Sequence, residues 1–234
     1  SLYTAKQWGI PPSQIDPGVL RRVPVRLNDH REYFEDTWQY LPVDSYTTFF
    51  KQLLQHENID ICLGADALKT VTLDEKKHKI LVDHKEFQGI FVYTGAIDEL
   101  FGQRYGPLPY RSLRFEWKTV QMKSYQQTPI VAYPQAQGYT RITEYTKMPK
   151  QDTGNHTTYA VEYPVPYENS RGQEPYYPVL TQDSKALYEQ YKNEAHKYDS
   201  LYLCGRLADF QYYNMDQALE RAMEVGKMIM DQQL

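Results

Sequence analysis

Apolar positions recur along this chain with two different periods, and the stretches they define predict helices and strands in a mixed order. Phe49, Phe50, Leu53 and Leu54 fall at helical spacing within 46–56 and predict an amphipathic helix, after which the apolar run 59–63 reads as a strand. Residues 71–73 and 79–82 flank a charged turn and predict a small hairpin. The continuous run Ile90-Phe91-Val92-Tyr93, ending at Thr94-Gly95, has the pattern of a strand buried on both faces, as in a parallel sheet. Between 113 and 163 the segments 113–122, 130–133, 140–147 and 157–163 are rich in Tyr, Thr, Val and Ile and predict an antiparallel sheet.

Beyond residue 180 the period becomes helical again. Ser184 is placed to cap a helix reaching about Tyr198, with Leu187, Tyr191 and Ala195 on one stripe. The run 201–204 reads as another short strand. Met215, Ala218, Leu219, Ala222, Val225, Ile229 and Met230 repeat at helical spacing and predict a final helix that packs into a core by this stripe. Near the start, 11–22 reads as a Pro-led turn and short helix ended by Pro24, and 28–36 as a polar, aromatic, mobile loop. The fold class is therefore mixed α/β. The strands at Ile90 and Leu201 and the last helix are similar to parts of a dinucleotide-binding fold, yet no Gly-x-Gly-x-x-Gly lies in the sequence.

Composition narrows the function classes. An apolar content of 41% with 24% charged residues excludes a disordered polyampholyte. The net charge of -4 argues against a nucleic-acid groove. The 22 tyrosines suit a wet, polar-ligand cleft and exposed strands equally well. Cys62 and Cys204 stand in apolar stretches without a spacing pattern, which reads as reduced, buried thiols of a cytoplasmic protein. The six histidines are scattered, so no metal is expected. No apolar run reaches the length of a membrane span and no leader is seen. The chain opens inside a motif, as though cut from a larger protein.

The stretch 205–216, Gly-Arg-Leu-Ala-Asp-Phe-Gln-Tyr-Tyr-Asn-Met-Asp, leads from an apolar strand through a Gly-Arg turn to the start of the long helix. Unpaired N–H groups and the positive dipole end of a helix N-terminus, with Arg206 beside them, make this a place for a cofactor or an anion. Plain packing is the alternative.

Three further stretches accompany it: Tyr3-Thr4-Ala5-Lys6-Gln7-Trp8-Gly9 with Leu20-Arg21-Arg22; Tyr93-Thr94-Gly95-Ala96-Ile97-Asp98 with Leu108-Pro109-Tyr110-Arg111; and Tyr139-Thr140-Arg141-Ile142-Thr143-Glu144-Tyr145 with Glu162-Tyr163-Pro164 and Glu174-Pro175-Tyr176-Tyr177-Pro178. In this order they resemble the bacterial UDP-galactopyranose mutase family along essentially the whole chain. The resemblance implies a flavoenzyme that interconverts UDP-galactopyranose and UDP-galactofuranose, with reduced FAD attacking the anomeric carbon and holding the sugar as a covalent adduct. It implies part of an FAD-binding Rossmann-like domain plus an antiparallel-sheet substrate domain. The segments are 1–45 (substrate domain with the mobile loop), 46–108 (FAD-binding part), 109–180 (substrate sheet) and 181–234 (FAD-binding part). The family carries its glycine fingerprint ahead of the Tyr-Thr segment, so the chain resembles the C-terminal portion, and by itself is expected to be inactive.

Residue by residue, Arg22 matches the family's mobile-loop arginine and Arg141 the fixed arginine opposite, both directed at the diphosphate. Tyr176 and Tyr212 match tyrosines that bond the same phosphates, and Tyr33 and Arg111 match further cleft positions. Tyr3, Thr4 and Trp8 match the uridine cradle, and Glu162 a carboxylate near the sugar. Arg206, Asn214, Met215 and Asp216 match positions around the flavin. Each has a bland alternative: a solvated surface arginine, a core tryptophan, a strand-face acid paired with a neighbouring cation, a helix cap at Asn214 or Asp216. Asn214 departs from the acid usual in the family, and Ala132 from the common Asn before Tyr. Partners on this reading are the two UDP sugars, with galactofuranose going to cell-surface polysaccharide, and a homodimer where this chain follows the bacterial family. The competing readings are a non-catalytic nucleotide-sugar-binding module and another flavoprotein of amine-oxidase-like fold.

Overall fold

The computed structural model describes residues 2–18, 27–29, 36–168 and 171–232. The chain divides into two compact units: residues 1–12, 20–65 and 113–164 form the first, and 13–19, 66–112 and 165–234 the second. The stretch 46–65, grouped with 66–108 in the sequence reading, clusters with the first unit.

The first unit opens with helix α1 (Leu2–Trp8), a helix that hydrophobic periodicity did not single out. Lys6 on this helix donates to the carbonyl oxygens of Tyr133 at 2.8 Å and Ala136 at 2.7 Å, which ties α1 to a turn of the sheet. Helix α2 (Tyr46–Leu53) forms as its spacing predicts, and Ser45 caps it by accepting the Thr48 N–H at 3.0 Å. Its apolar stripe, however, is exposed. Residues 59–63 do not form the expected strand. Ile59, Ile61 and Leu63 stand in solvent, Gly64 turns the backbone at φ +71°, and Cys62, expected to be buried, is exposed. An apolar run becomes a strand only when it finds a ladder partner, and none of the pairings described includes it.

The predicted antiparallel sheet is present. In the first unit β6 (Ile130–Ala132), β7 (Arg141–Glu144), β8 (Thr157–Pro166) and β5 (Tyr110–Val120) lie in that order. Ile142 pairs with Val131 on one side and Val161 on the other. Side chains alternate across the sheet, so Ile142, Tyr159 and Val161 form a small core with Tyr133, Tyr139 and Tyr163 packed against it. Glu144 points the same way and is fully buried. It accepts from the Tyr125 N–H at 3.0 Å, the Gln126 N–H at 3.0 Å and the Thr157 hydroxyl at 2.6 Å, pinning the loop ahead of β6 to the sheet.

The second unit holds the larger core. A three-stranded antiparallel meander of β1 (Val71–Asp74), β2 (Lys79–Val82) and β3 (Lys85–Glu86) realises the predicted hairpin. Helix α3 (Ala67–Thr70) precedes it, and the short α4 (Ile97–Leu100) comes later in the unit. β4 (Phe91–Tyr93) pairs with β10 (Leu201–Leu203) and the pair is parallel, as expected. Burial on both faces does not hold, because Val92 is 41% exposed and only the Tyr93 face is covered. A strand the sequence reading missed, β9 (Tyr177–Pro178), pairs with Tyr110 and Arg111 of β5; two residues carry no legible period.

Helix α5 (Gln182–Ala195) is capped by Thr181 rather than Ser184. Ser184 is the reciprocal partner three residues on: its N–H bonds the Thr181 hydroxyl at 3.2 Å and its hydroxyl receives the Thr181 N–H at 2.9 Å. Tyr188, Tyr191 and Ala195 face the core. The tyrosines find a use here that composition left open, as apolar bodies whose hydroxyls bond locally. Tyr191 donates to the Gly106 carbonyl at 2.6 Å while accepting the Tyr105 N–H, and Tyr93 donates to Ala96 at 3.2 Å. The last helix, α6 (Met215–Gln232), forms as predicted, but its stripe is not core: Val225 is buried, whereas Met215, Leu219, Met223 and Met230 are exposed. Periodicity reveals that a helix has an apolar face, not what covers it.

Candidate functional site

In the first unit the candidate chemistry gathers on β7 and β8. Their register sets Arg141 directly opposite Glu162. Because side chains alternate, Thr143 shares the face of Arg141, diagonal to Glu162, while Ile142 and Glu144 face the core described above. Glu162 accepts the Arg141 Nε–H at 2.6 Å through one carboxylate oxygen and the Thr143 hydroxyl at 2.8 Å through the other. The side chain of Glu162 is 3% exposed and that of Arg141 is 40% exposed. A buried carboxylate thus holds a half-exposed guanidinium by its Nε edge. Such a fork presents fixed positive charge and planar donors, the chemistry that suits a phosphate or diphosphate.

Tyr3 and Thr4 lie half-buried on α1, and Trp8 of the same helix is buried. Arg22 and Tyr33 lie outside the described residues. Sequence reasoning missed Thr143 and Lys6. The signal for Thr143 was present in the alternation of β7, which already places 141 and 143 on one face, but the acid that joins them comes from another strand. Lys6 had no local signal, since its partners are backbone carbonyls more than 120 residues away.

In the second unit a separate cluster forms around Arg206. Gly205 follows β10 at φ +99°, where a side chain would be strained, and opens a tight turn in which the Asp209 N–H bonds the Gly205 carbonyl at 2.8 Å. This turn carries Arg206 onto β9. Its guanidinium donates to the Tyr176 carbonyl at 3.0 Å and to the Tyr213 carbonyl, and lies over the Tyr212 ring at 4.9 Å. Tyr212 in turn meets Tyr177 edge to face at 5.7 Å. The Tyr176 N–H bonds the Arg111 carbonyl at 2.9 Å, so Arg111, Tyr176, Arg206 and Tyr212 are brought together. Burial holds the Arg111 guanidinium below the usual arginine range, with Tyr177 acting against that shift. Tyr177, at the centre of this group, was not singled out beforehand.

Two residues past Tyr212, Asn214 precedes α6; its N–H donates to the Gln217 side chain at 2.9 Å and its carbonyl accepts the Ala218 N–H at 2.9 Å. Met215 and Asp216 are exposed in the first turn of this helix of 18 residues, at the positive end of its dipole. Among the described residues no group of three or more His, Cys, Asp or Glu is placed to hold a metal ion. Among them, too, no helix is long and apolar enough to cross a membrane.

The family model described as UDP-galactopyranose mutase matches residues 1–212. UDP-galactopyranose mutase of Mycoplasma pneumoniae is 34% identical over 232 residues, covering 97% of this chain and 57% of the relative, and that of Mycoplasma genitalium gives the same identity and coverage. A dTDP-fucopyranose mutase of Escherichia coli is 31% identical over 229 residues, covering 97% of this chain and 58% of the relative. The chain spans little more than half the length of these curated relatives. With the match running from α1 through both clusters to Tyr212, the chain belongs to the UDP-galactopyranose mutase family.

Proposed function

We propose that this chain supplies nucleotide-sugar-binding and flavin-facing residues of a sugar-nucleotide mutase that interconverts UDP-galactopyranose and UDP-galactofuranose. The observation that supports the reading is the half-exposed guanidinium of Arg141, held by buried Glu162 within the stretch that the family model matches. In this reading Arg141 takes the diphosphate and stabilises its charge as the bond to the sugar breaks. By the same family resemblance, Arg22 is assigned to the diphosphate as well. By the family resemblance, Tyr176, Tyr212, Tyr33 and Arg111 are further residues we assign to substrate binding. Tyr3, Thr4 and Trp8 hold the uridine.

The residues present fit a flavin in part. The exposed N-terminus of α6 at Met215 and Asp216, with Asn214 and Arg206 beside it, offers N–H donors and positive charge to the polar edge of an isoalloxazine. For the diphosphate of FAD these 234 residues contain no Gly-x-Gly-x-x-Gly turn, so we expect no turnover from this chain by itself. Reduced flavin, when bound, supplies the nucleophile that displaces UDP from the sugar. The parallel pair β4 and β10 with α6 is the part of the chain we assign to the Rossmann-like FAD-binding domain. The family resemblance is what supports assigning the enzyme to the cytoplasm and its product to cell-surface polysaccharide.

The relative named dTDP-fucopyranose mutase makes the nucleotide the point to test. Calorimetric titration of the purified chain with UDP and with dTDP is expected to show tighter binding of UDP, lost in Arg141→Ala. Equal affinity for both, or no effect of Arg141→Ala, overturns the assignment. The visible spectrum after incubation with FAD and desalting then reports on the flavin: retained bands with dithionite-dependent turnover would show a more complete catalytic unit than we propose.

A further inference from the structure

Glu162 is held at both oxygens, and the two donors differ in kind. The Arg141 Nε–H reaches one oxygen at 2.6 Å, and the Thr143 hydroxyl reaches the other at 2.8 Å. The terminal torsion of a glutamate is broad, so a carboxylate held at a single oxygen can rotate about its last bond and take its partner with it. A second donor on the other oxygen removes that freedom. Thr143 is suited to the task because a β-branched side chain on a strand has a stiff χ1, and its strand position beside Arg141 is set by the β7–β8 register. Both Thr143 and Glu162 are buried, so bulk water has little access to replace the hydroxyl.

We propose that Thr143 is a positioning residue for Arg141, acting through Glu162: its hydroxyl fixes the carboxylate plane, and the carboxylate fixes the direction of the guanidinium. Thr143 touches no ligand on this account. The proposal rests on the reading that Arg141 receives the diphosphate, and it goes beyond it by assigning the accuracy of that contact to a residue on the same strand face. Glu162, correspondingly, acts by orienting the arginine.

The test compares the whole chain with Thr143→Val, which removes the donor at nearly constant shape, Thr143→Ser, which keeps it, and Arg141→Ala. The first readout is the Arg141 Nε–Hε resonance in a proton–nitrogen spectrum, identified by its absence in Arg141→Lys. It is expected to be sharp in the wild type and Thr143→Ser, and broadened or shifted in Thr143→Val. The second is the Kd for UDP, expected to weaken about tenfold in Thr143→Val and to recover in Thr143→Ser, at a temperature where melting curves show all variants folded. A role confined to packing would lower the melting temperature and leave both readouts unmoved in the folded protein. An unchanged resonance and unchanged Kd in Thr143→Val, with Arg141→Ala weakened, overturns the proposal while the Arg141 reading stands. If Arg141→Ala leaves UDP affinity unchanged, the Arg141 reading fails, and the resonance by itself decides whether Thr143 positions the arginine.

Discussion

Arg141 and Glu162 face each other across β7 and β8 in an asymmetric pair, the acid buried and the arginine 40% exposed, joined at 2.6 Å. The asymmetry determines which partner is costly to lose. Removing the arginine leaves a charge buried with the Thr143 hydroxyl as its remaining described donor, whereas the guanidinium can turn to water.

Arg141→Ala is therefore expected to destabilise the chain by about 1–3 kcal/mol, less than the loss of a fully buried pair because solvent already screens the arginine. Adding Glu162→Gln to Arg141→Ala replaces the orphaned charge by a neutral amide and should recover part of that loss. Urea unfolding at pH 7 measures both, and a double variant no more stable than Arg141→Ala would contradict the account.

Glu144 carries a pH dependence of definite sign. Burial alone would raise its pKa, but the Thr157 hydroxyl, the Tyr125 and Gln126 N–H groups and Lys147 favour the charged form more, and its carboxyl lies below the usual range. Its folded pKa is thus below the unfolded value of about 4.3. The stability it contributes is present above about pH 4.3 and lost as pH falls through the folded value. Glu144→Gln should cost about 1–3 kcal/mol at pH 7. The gap from wild type should narrow on acidification below about pH 4, as urea midpoints at several pH values would show.

Gly205 stands at φ +99° with nothing within 4 Å of where a Cβ would lie. The cost of Gly205→Ala is accordingly conformational rather than steric, about 1–3 kcal/mol. Because the turn at Gly205 carries Arg206 to the Tyr176 carbonyl, near-ultraviolet circular dichroism of the tyrosines should change along with the urea midpoint. A variant as stable as wild type would show that the turn relaxes without strain.

The exposed stripe of α6 gives a surface prediction. Leu219→Lys with Met223→Lys should lower binding of the dye ANS and leave the melting temperature within about 1–2 °C, since neither side chain contributes to the core. A large fall in melting temperature would mean that this face is packed in solution.

Much of the secondary structure was legible because it depends on local period and capping: the hairpin at β1 and β2, the antiparallel strands around Arg141, the parallel partners β4 and β10, and the helices at 46–53, 182–195 and 215–232. The sequence also identified Arg141 and Glu162 as residues of interest by their motif. It could not say that the two are partners, because strand register depends on a pairing between segments some twenty residues apart. The misplaced burial expectations share one cause. Residues 59–63, the outer face of Val92, Cys62 and the methionines of α6 all have the hydrophobicity of buried positions, and hydrophobicity states a preference for burial without supplying the surface that satisfies it. Thr143 shows the same division at the scale of one side chain. Its place on the Arg141 face follows from the period of a strand, whereas its bond to Glu162 exists only because β8 folds back beside β7 and brings a buried carboxylate within hydrogen-bonding distance of both.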